Sequence, residues 1–132
     1  MDRFRRCPRL ALAAPSGALV EAIEARGAVR LAGLALLREP PRDALLIPRC
    51  RSVHTWGMRF ALDVAFVAVE DGALRILSVH SALEPRRFAS ARGNRAAGAL
   101  ELPAGDAARL GLWPGRVLIL LARRRPGRRR GP

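Results

Sequence analysis

Residues 62–69, reading LDVAFVAV, constrain the fold more than any other stretch of this chain. Successive side chains on a strand point to opposite faces. A run that is apolar at every position but Asp63 therefore reads as a central strand covered on both sides. Asp71-Gly72 follows, and then a second strand-like run, Ala73 to Val79. Asp-Gly between two such runs predicts a hairpin, because a tight type I′ turn needs positive φ at both central residues.

Shorter signals surround this hairpin. Gly17 to Ala25 alternates imperfectly and reads as a strand. Leu31, Leu34, Ala35 and Leu37 recur at helical spacing, so Val29 to Arg38 predicts a helix that Pro40-Pro41 cannot continue. Gly33 costs that helix about 1 kcal/mol relative to Ala, which a close approach by another element would explain. Ala44–Ile47, Ser52–Thr55, Ala99–Leu102 and Val117–Ala122 read as further strands, with Gly57 a candidate bulge. Arg86 to Arg95 reads as a surface loop. Pro103 suits the first turn of a short helix running to Leu110, which Gly111 stops. Pro114-Gly115 predicts a type II turn. The pattern has no βαβ rhythm. It predicts a mainly β (α+β) fold, a small antiparallel barrel or sandwich of about six strands with two short helices packed on it. Residues 17–122 form the single compact domain, between an irregular basic segment, 1–16, and a disordered Arg-rich tail, 123–132.

A chain of 132 residues can bury a core without disulfides or metal. No apolar run approaches the roughly 18 residues needed to span a bilayer. Only Leu10 to Ala14 is continuously apolar near the N-terminus, which is short for a secretory signal; the expectation is a cytoplasmic protein without a membrane span. Cys7 and Cys50 show no CxxC spacing and read as unpaired thiols. The formal charge of +13 comes entirely from Arg, since the chain has no Lys. Abundant Ala, Arg, Gly and Pro suggest GC-rich coding as one source of that Arg. Ten of the 24 basic residues lie in the two tails, so residues 10–122 hold 14 Arg against 10 acids. The tail sequence R-R-R-P-G-R-R-R would bind phosphates in a salt-dependent way. Without stacking aromatics beside it, it predicts no specific nucleic-acid recognition.

The rarer chemical groups gather between Cys50 and Phe66, in C-R-S-V-H-T-W-G-M-R-F-A-L-D-V-A-F. Lacking Lys, the chain has no Walker loop or Schiff base, and G-x-S-x-G, H-E-x-x-H and dinucleotide fingerprints are absent. A nucleophile would be Cys50 or a serine such as Ser52, with His54 or His80 as base. Cys50, His54 and Met58 at i, i+4 and i+8 are soft copper ligands on one strand face. Steps of about 13 Å nevertheless separate them unless Gly57 bends the chain, so no metal is favoured and no cofactor is evident. His54, beside Trp56 and Phe60, reads either as an imidazole bonded to a carbonyl or as the polar group of an apolar pocket. Asp63 reads first as a structural carboxylate paired with Arg59 or Arg30. Glu101, between Leu100 and Leu102, poses the same question, and convergence of the two would make an acid–base pair plausible.

Four blocks in this order resemble domain-of-unknown-function family 192. They are Arg30-Leu31-Ala32-Gly33-Leu34, Ser52 to Met58, Asp63-Val64-Ala65-Phe66, and Leu100 to Gly105 reading L-E-L-P-A-G. The resemblance covers about residues 20–121. Ala35 stands where the family usually has Met, Ala61 where it often has Pro, and Arg116 where it has Asp. It implies a compact, mainly β domain and carries no established activity.

Three functions follow as expectations. The first is a non-catalytic binding or accessory module, with a pocket of His54, Trp56, Met58, Asp63 and Glu101 accepting a small polar ligand or a partner protein's loop. The second is a small hydrolase or isomerase using Asp63, Glu101 or His54 as acid or base. The third is nonspecific anion or nucleic-acid binding through the Arg-rich tails.

Overall fold

The computed structural model describes residues 4–27, 29–32, 34 and 37–127. Among the described residues nine strands form: β1 (Arg9–Ala13), β2 (Leu19–Glu24), β3 (Ala44–Pro48), β4 (Ser52–His54), β5 (Leu62–Glu70), β6 (Ala73–Leu83), β7 (Phe88–Ser90), β8 (Gly98–Pro103) and β9 (Val117–Arg124). Two helices accompany them, α1 (Val29–Ala32) and α2 (Asp106–Leu110). Seven strands close into a barrel in the order β1-β2-β3-β8-β5-β6-β9, and β4 pairs with β7 in a separate two-stranded sheet. All barrel pairs are antiparallel except β2 with β3. A closed barrel thus replaces the sandwich alternative.

The two apolar faces of β5 have different partners. Ala65 and Val67 point into the barrel with Leu12, Ile76, Leu100 and Leu118, and Leu110 of α2 packs against the same cluster. Leu62, Val64 and Phe66 point outward into a second core. There they meet Ala99 from the flanking strand β8, Leu45 from β3 beyond it, and Phe4, Leu34, Val53, Met58 and Ala89 from the segments laid over them. Burial on both sides therefore accounts for the run from Leu62 to Val67, whereas Ala68 is half-buried and Val69 is 66% exposed. The Asp71-Gly72 hairpin forms, with Glu70 paired to Ala73, but of its two central residues only Gly72 takes a positive φ, 65°, so the turn is not the type I′ expected.

Several boundaries depart from the sequence reading. The segment read as irregular contains β1, in which Leu10 and Leu12 face inward. Small alanines at 11 and 13 hide that alternation. At the other end, β9 runs through Arg123 and Arg124, paired to Leu10 and Arg9 of β1, so the barrel extends into the tail. β7 lies within the expected loop 86–95, where only Ala89 of its three residues is buried. Gly57, at φ 82°, serves a turn rather than a bulge, and the Met58 amide donates back to Thr55 O at 3.1 Å. Helix α1 covers Val29–Ala32 of the predicted 29–38; Gly33, Ala35 and Leu36 lie outside the described residues. Pro103 closes β8 and α2 starts at Asp106. Gly111 stops α2 in a left-handed conformation, as read. Gly115 sits at φ 90° in a turn closed by the Arg116 amide on Trp113 O.

Candidate functional site

Asp63 and Glu101 lie on adjacent strands with Asp63 paired to Leu102 and Val64 paired to Glu101. Directly paired residues share a face and neighbours along a strand alternate. Leu102 belongs to the barrel interior and Val64 to the outer core, so the two carboxylates project from opposite faces of one sheet. That geometry overturns the convergent acid–base pair.

Asp63 is 1% exposed, and its partners are backbone amides rather than the expected Arg59 or Arg30. Oδ1 accepts from the Ala82 amide at 2.8 Å. Oδ2 accepts from the amides of Gly105 at 3.0 Å and Ala107 at 2.9 Å. One carboxylate thereby satisfies the first turn of α2, which lacks its own side-chain cap. It also holds the β6 irregularity where Ala82 takes φ 50°. Arg30 is committed elsewhere, donating to Pro48 O and Arg49 O at 2.8 Å each. This braces the turn in which Arg49 adopts φ 53°.

Glu101 is a different kind of carboxylate. It is 3% exposed, flanked by Leu45 and Val64 on the neighbouring strands, and its Oε2 has no hydrogen-bond partner among the described residues. Burial pushes its pKa up to about 7. The half-buried Cys50 is close enough to feel both Glu101 and Arg30. Burial raises the thiol above its ordinary value and Glu101 adds to that rise, while the Ser52 backbone contact and Arg30 oppose it. Cys50 is therefore held as a thiol, a poor nucleophile and a poor metal ligand; its Sγ donates to Ser52 O at 3.1 Å.

His54 and Trp56 face away from this carboxyl. On β4 the inward position is Val53, which joins the outer core, while His54 is exposed. Trp56, two residues on, is 50% exposed, and Phe88 of β7, paired directly to His54, is 70% exposed. The Trp56 and Phe88 ring centroids lie 5.1 Å apart, and His54 meets Phe88 edge-on at 6.3 Å. Beneath this aromatic platform, Thr55 is 1% exposed and ties the two segments together. Its Oγ1 donates to Glu84 O at 2.6 Å and accepts from the Arg87 amide at 2.8 Å, while its own amide donates to Arg87 O at 2.9 Å. Arg51, Arg59, Arg86 and Arg87 are exposed in the same segments.

The five residues read as one pocket thus occupy three places. His54 and Trp56 form an outer platform, Met58 and Glu101 lie on the outer-core side, and Asp63 caps α2 from the barrel side. Cys50, His54 and Met58 do not share a face, and among the described residues no three His, Cys, Asp or Glu side chains are grouped to hold a metal. His80 is half-buried against the edge of Phe66. Phe88 was missed because an isolated aromatic inside an Arg-rich stretch reads as loop. Thr55 was missed because nothing in its neighbours reveals burial. Among the described residues no helix is long and apolar enough to cross a membrane.

Two solved structures share the fold. One, from Novosphingobium aromaticivorans and of unknown function, superposes with a TM-score of 0.68 at 22% identity, covering 83% of this chain and 82% of that one. The other, from Sinorhizobium meliloti and named as a candidate transcription regulator, gives 0.67 at 28% identity, covering 86% and 92%. No curated protein sequence is significantly similar. Residues 22–120 match the sequence model of DUF192, described as an uncharacterised ACR, and the chain belongs to that family.

Proposed function

We propose that this protein is a non-catalytic binding module whose recognition surface is the platform of His54, Trp56 and Phe88. The supporting observation is the exposed Trp56–Phe88 contact on a strand pair that Thr55 braces from below. Large aromatic groups held in fixed positions bury much area at little entropic cost, and together with Arg they dominate binding hot spots. Exposed arginines at 51, 59, 86 and 87 favour a partner loop that presents an apolar anchor flanked by acidic side chains. The test is affinity capture with wild type, Trp56→Ala and Phe88→Ala, the partner being identified and then titrated in isolation. Trp113→Phe leaves Trp56 as the sole tryptophan, so its emission reports binding directly. Loss of the partner in both alanine variants, with unchanged folding, is the expected result. Equal capture by all three proteins would refute the platform.

One observation favours a second reading. A buried carboxyl poised near neutrality, as Glu101 is, suits a general acid or base. In this version Glu101 acts without Asp63, and Glu101→Gln would abolish turnover of a substrate that wild type consumes. Full activity in that variant would remove the enzymatic reading.

A further inference from the structure

The topology forces the two basic ends of the chain together. β1 runs antiparallel to both β2 and β9, so the start of β1 meets the ends of the other two. The Glu24 amide donates to Pro8 O at 2.9 Å, and Arg123 lies opposite Leu10. Arg6 precedes β1, Arg26 follows β2, and Arg123 and Arg125 come from the last turn and exit of β9. These four arginines, with Pro8 and Pro126, line an open cavity of about 430 Å³. Four arginines from three separate segments thus line one cavity.

A single carboxylate, Glu24, orients two of them. Glu24 accepts from Arg26 Nη2 at 3.1 Å through Oε1, and from Arg123 Nε and Nη2 at 3.0 and 2.8 Å through Oε2. A guanidinium has five N–H donors. Glu24 uses one on Arg26 and two on Arg123, which orients both groups and leaves donors on each. Among the described residues Arg6 and Arg125 have no ion-pair partner. Among the described residues the cavity therefore carries more positive charge than Glu24 can neutralise, with the planar donors of Arg26 and Arg123 already held in place.

We propose that this cavity is a binding site for a small anion bearing two adjacent phosphates. A phosphodiester brings one negative charge. A diphosphate brings more, and its neighbouring oxygens match the bidentate geometry of guanidinium. A volume near 430 Å³ is within the range of small-ligand sites. Convergence on one cavity also differs from the extended positive groove that tracks a nucleic-acid strand.

The test uses the full chain and inorganic pyrophosphate, followed by isothermal titration and thermal shift. Saturable one-to-one binding is expected, weakening as salt rises. Arg26→Gln and Arg123→Gln should each weaken it about tenfold, the usual order for a lost charge-assisted hydrogen bond. Arg92→Gln/Arg95→Gln removes more charge from a loop outside the cavity and should leave affinity within about twofold. An ADP arm identifies the source: equal affinity means the diphosphate alone is recognised, tighter binding means a nucleotide carries it, and either agrees with the site. Absence of saturable binding would overturn the proposal. So would equal weakening by the remote pair, or oligonucleotide affinity that exceeds pyrophosphate and grows with length.

Discussion

Replacing Glu101 by Gln should remove a pH dependence from the stability of the protein. The wild-type carboxyl is 3% exposed, with one oxygen unpartnered, and burial raises its pKa from 4.5 to about 7. Below 4.5 the folded and unfolded chains both hold the proton, and burial of the neutral acid carries no ionic penalty. Between 4.5 and about 7 only the unfolded chain ionises, so stability falls by about 1.4 kcal/mol for each pH unit. Above about 7 both states are ionised and the full penalty, about 3 kcal/mol, is in place. Gln cannot ionise. Its buried amide costs about 1–3 kcal/mol if unpaired, but that cost does not change with pH. Urea denaturation of both proteins from pH 4.5 to 8 isolates the effect, because every other titrating group is common to the pair and cancels. The stability of Glu101→Gln relative to wild type should climb by about 3 kcal/mol across that range. For a domain of this size that is a relative rise in Tm on the order of 10 °C. A difference that stays flat within about 0.5 kcal/mol would show that Glu101 is solvated or paired in solution, and the reasoning from burial would fail.

Two further substitutions test the frame around the sites. Asp63→Ala leaves the amides of Ala82, Gly105 and Ala107 without their acceptor. At about 1–3 kcal/mol for each orphaned group, partly relieved by water, a loss of at least about 3 kcal/mol is expected in denaturation. Hydrogen exchange at those three amides should accelerate first, and unchanged protection would contradict the capping role. Gly98→Ala places a Cβ 2.9 Å from Ile47 O, where β3 and β8 pair. A cost of about 1–3 kcal/mol follows from the strands being pushed apart, and wild-type stability in that variant would refute the close approach.

What the sequence disclosed followed from periodicity and turn chemistry. The strand at 62–69, the Asp-Gly hairpin and the stop at Gly111 each depend on residues within a few positions, and each formed, although Val69 is exposed and Asp71 lacks the positive φ of a type I′ turn. β1 and β7 escaped because their signals were diluted, by small alanines in one case and by arginines in the other. A strand whose outward positions carry Ala differs little from an irregular apolar stretch, although pairing to β2 and β9 fixes it in the fold.

The candidate site was legible only as a list of residue types, and the reason lies in sheet geometry. Asp63 and Glu101 both interrupt apolar runs, which flags buried carboxylates without saying which face each one takes. A one-residue difference in register decides that question. Here it sends Asp63 toward the amides of α2 and Glu101 into the outer core, where burial alone governs its proton. The same alternation places Thr55 under the platform and His54 and Trp56 upon it. Two neighbouring carboxylates thus acquire opposite chemistry, one saturated with three amide donors and one left with an empty acceptor. The first is a fastening of the fold. The second is a buried acid whose ionisation its apolar surroundings oppose.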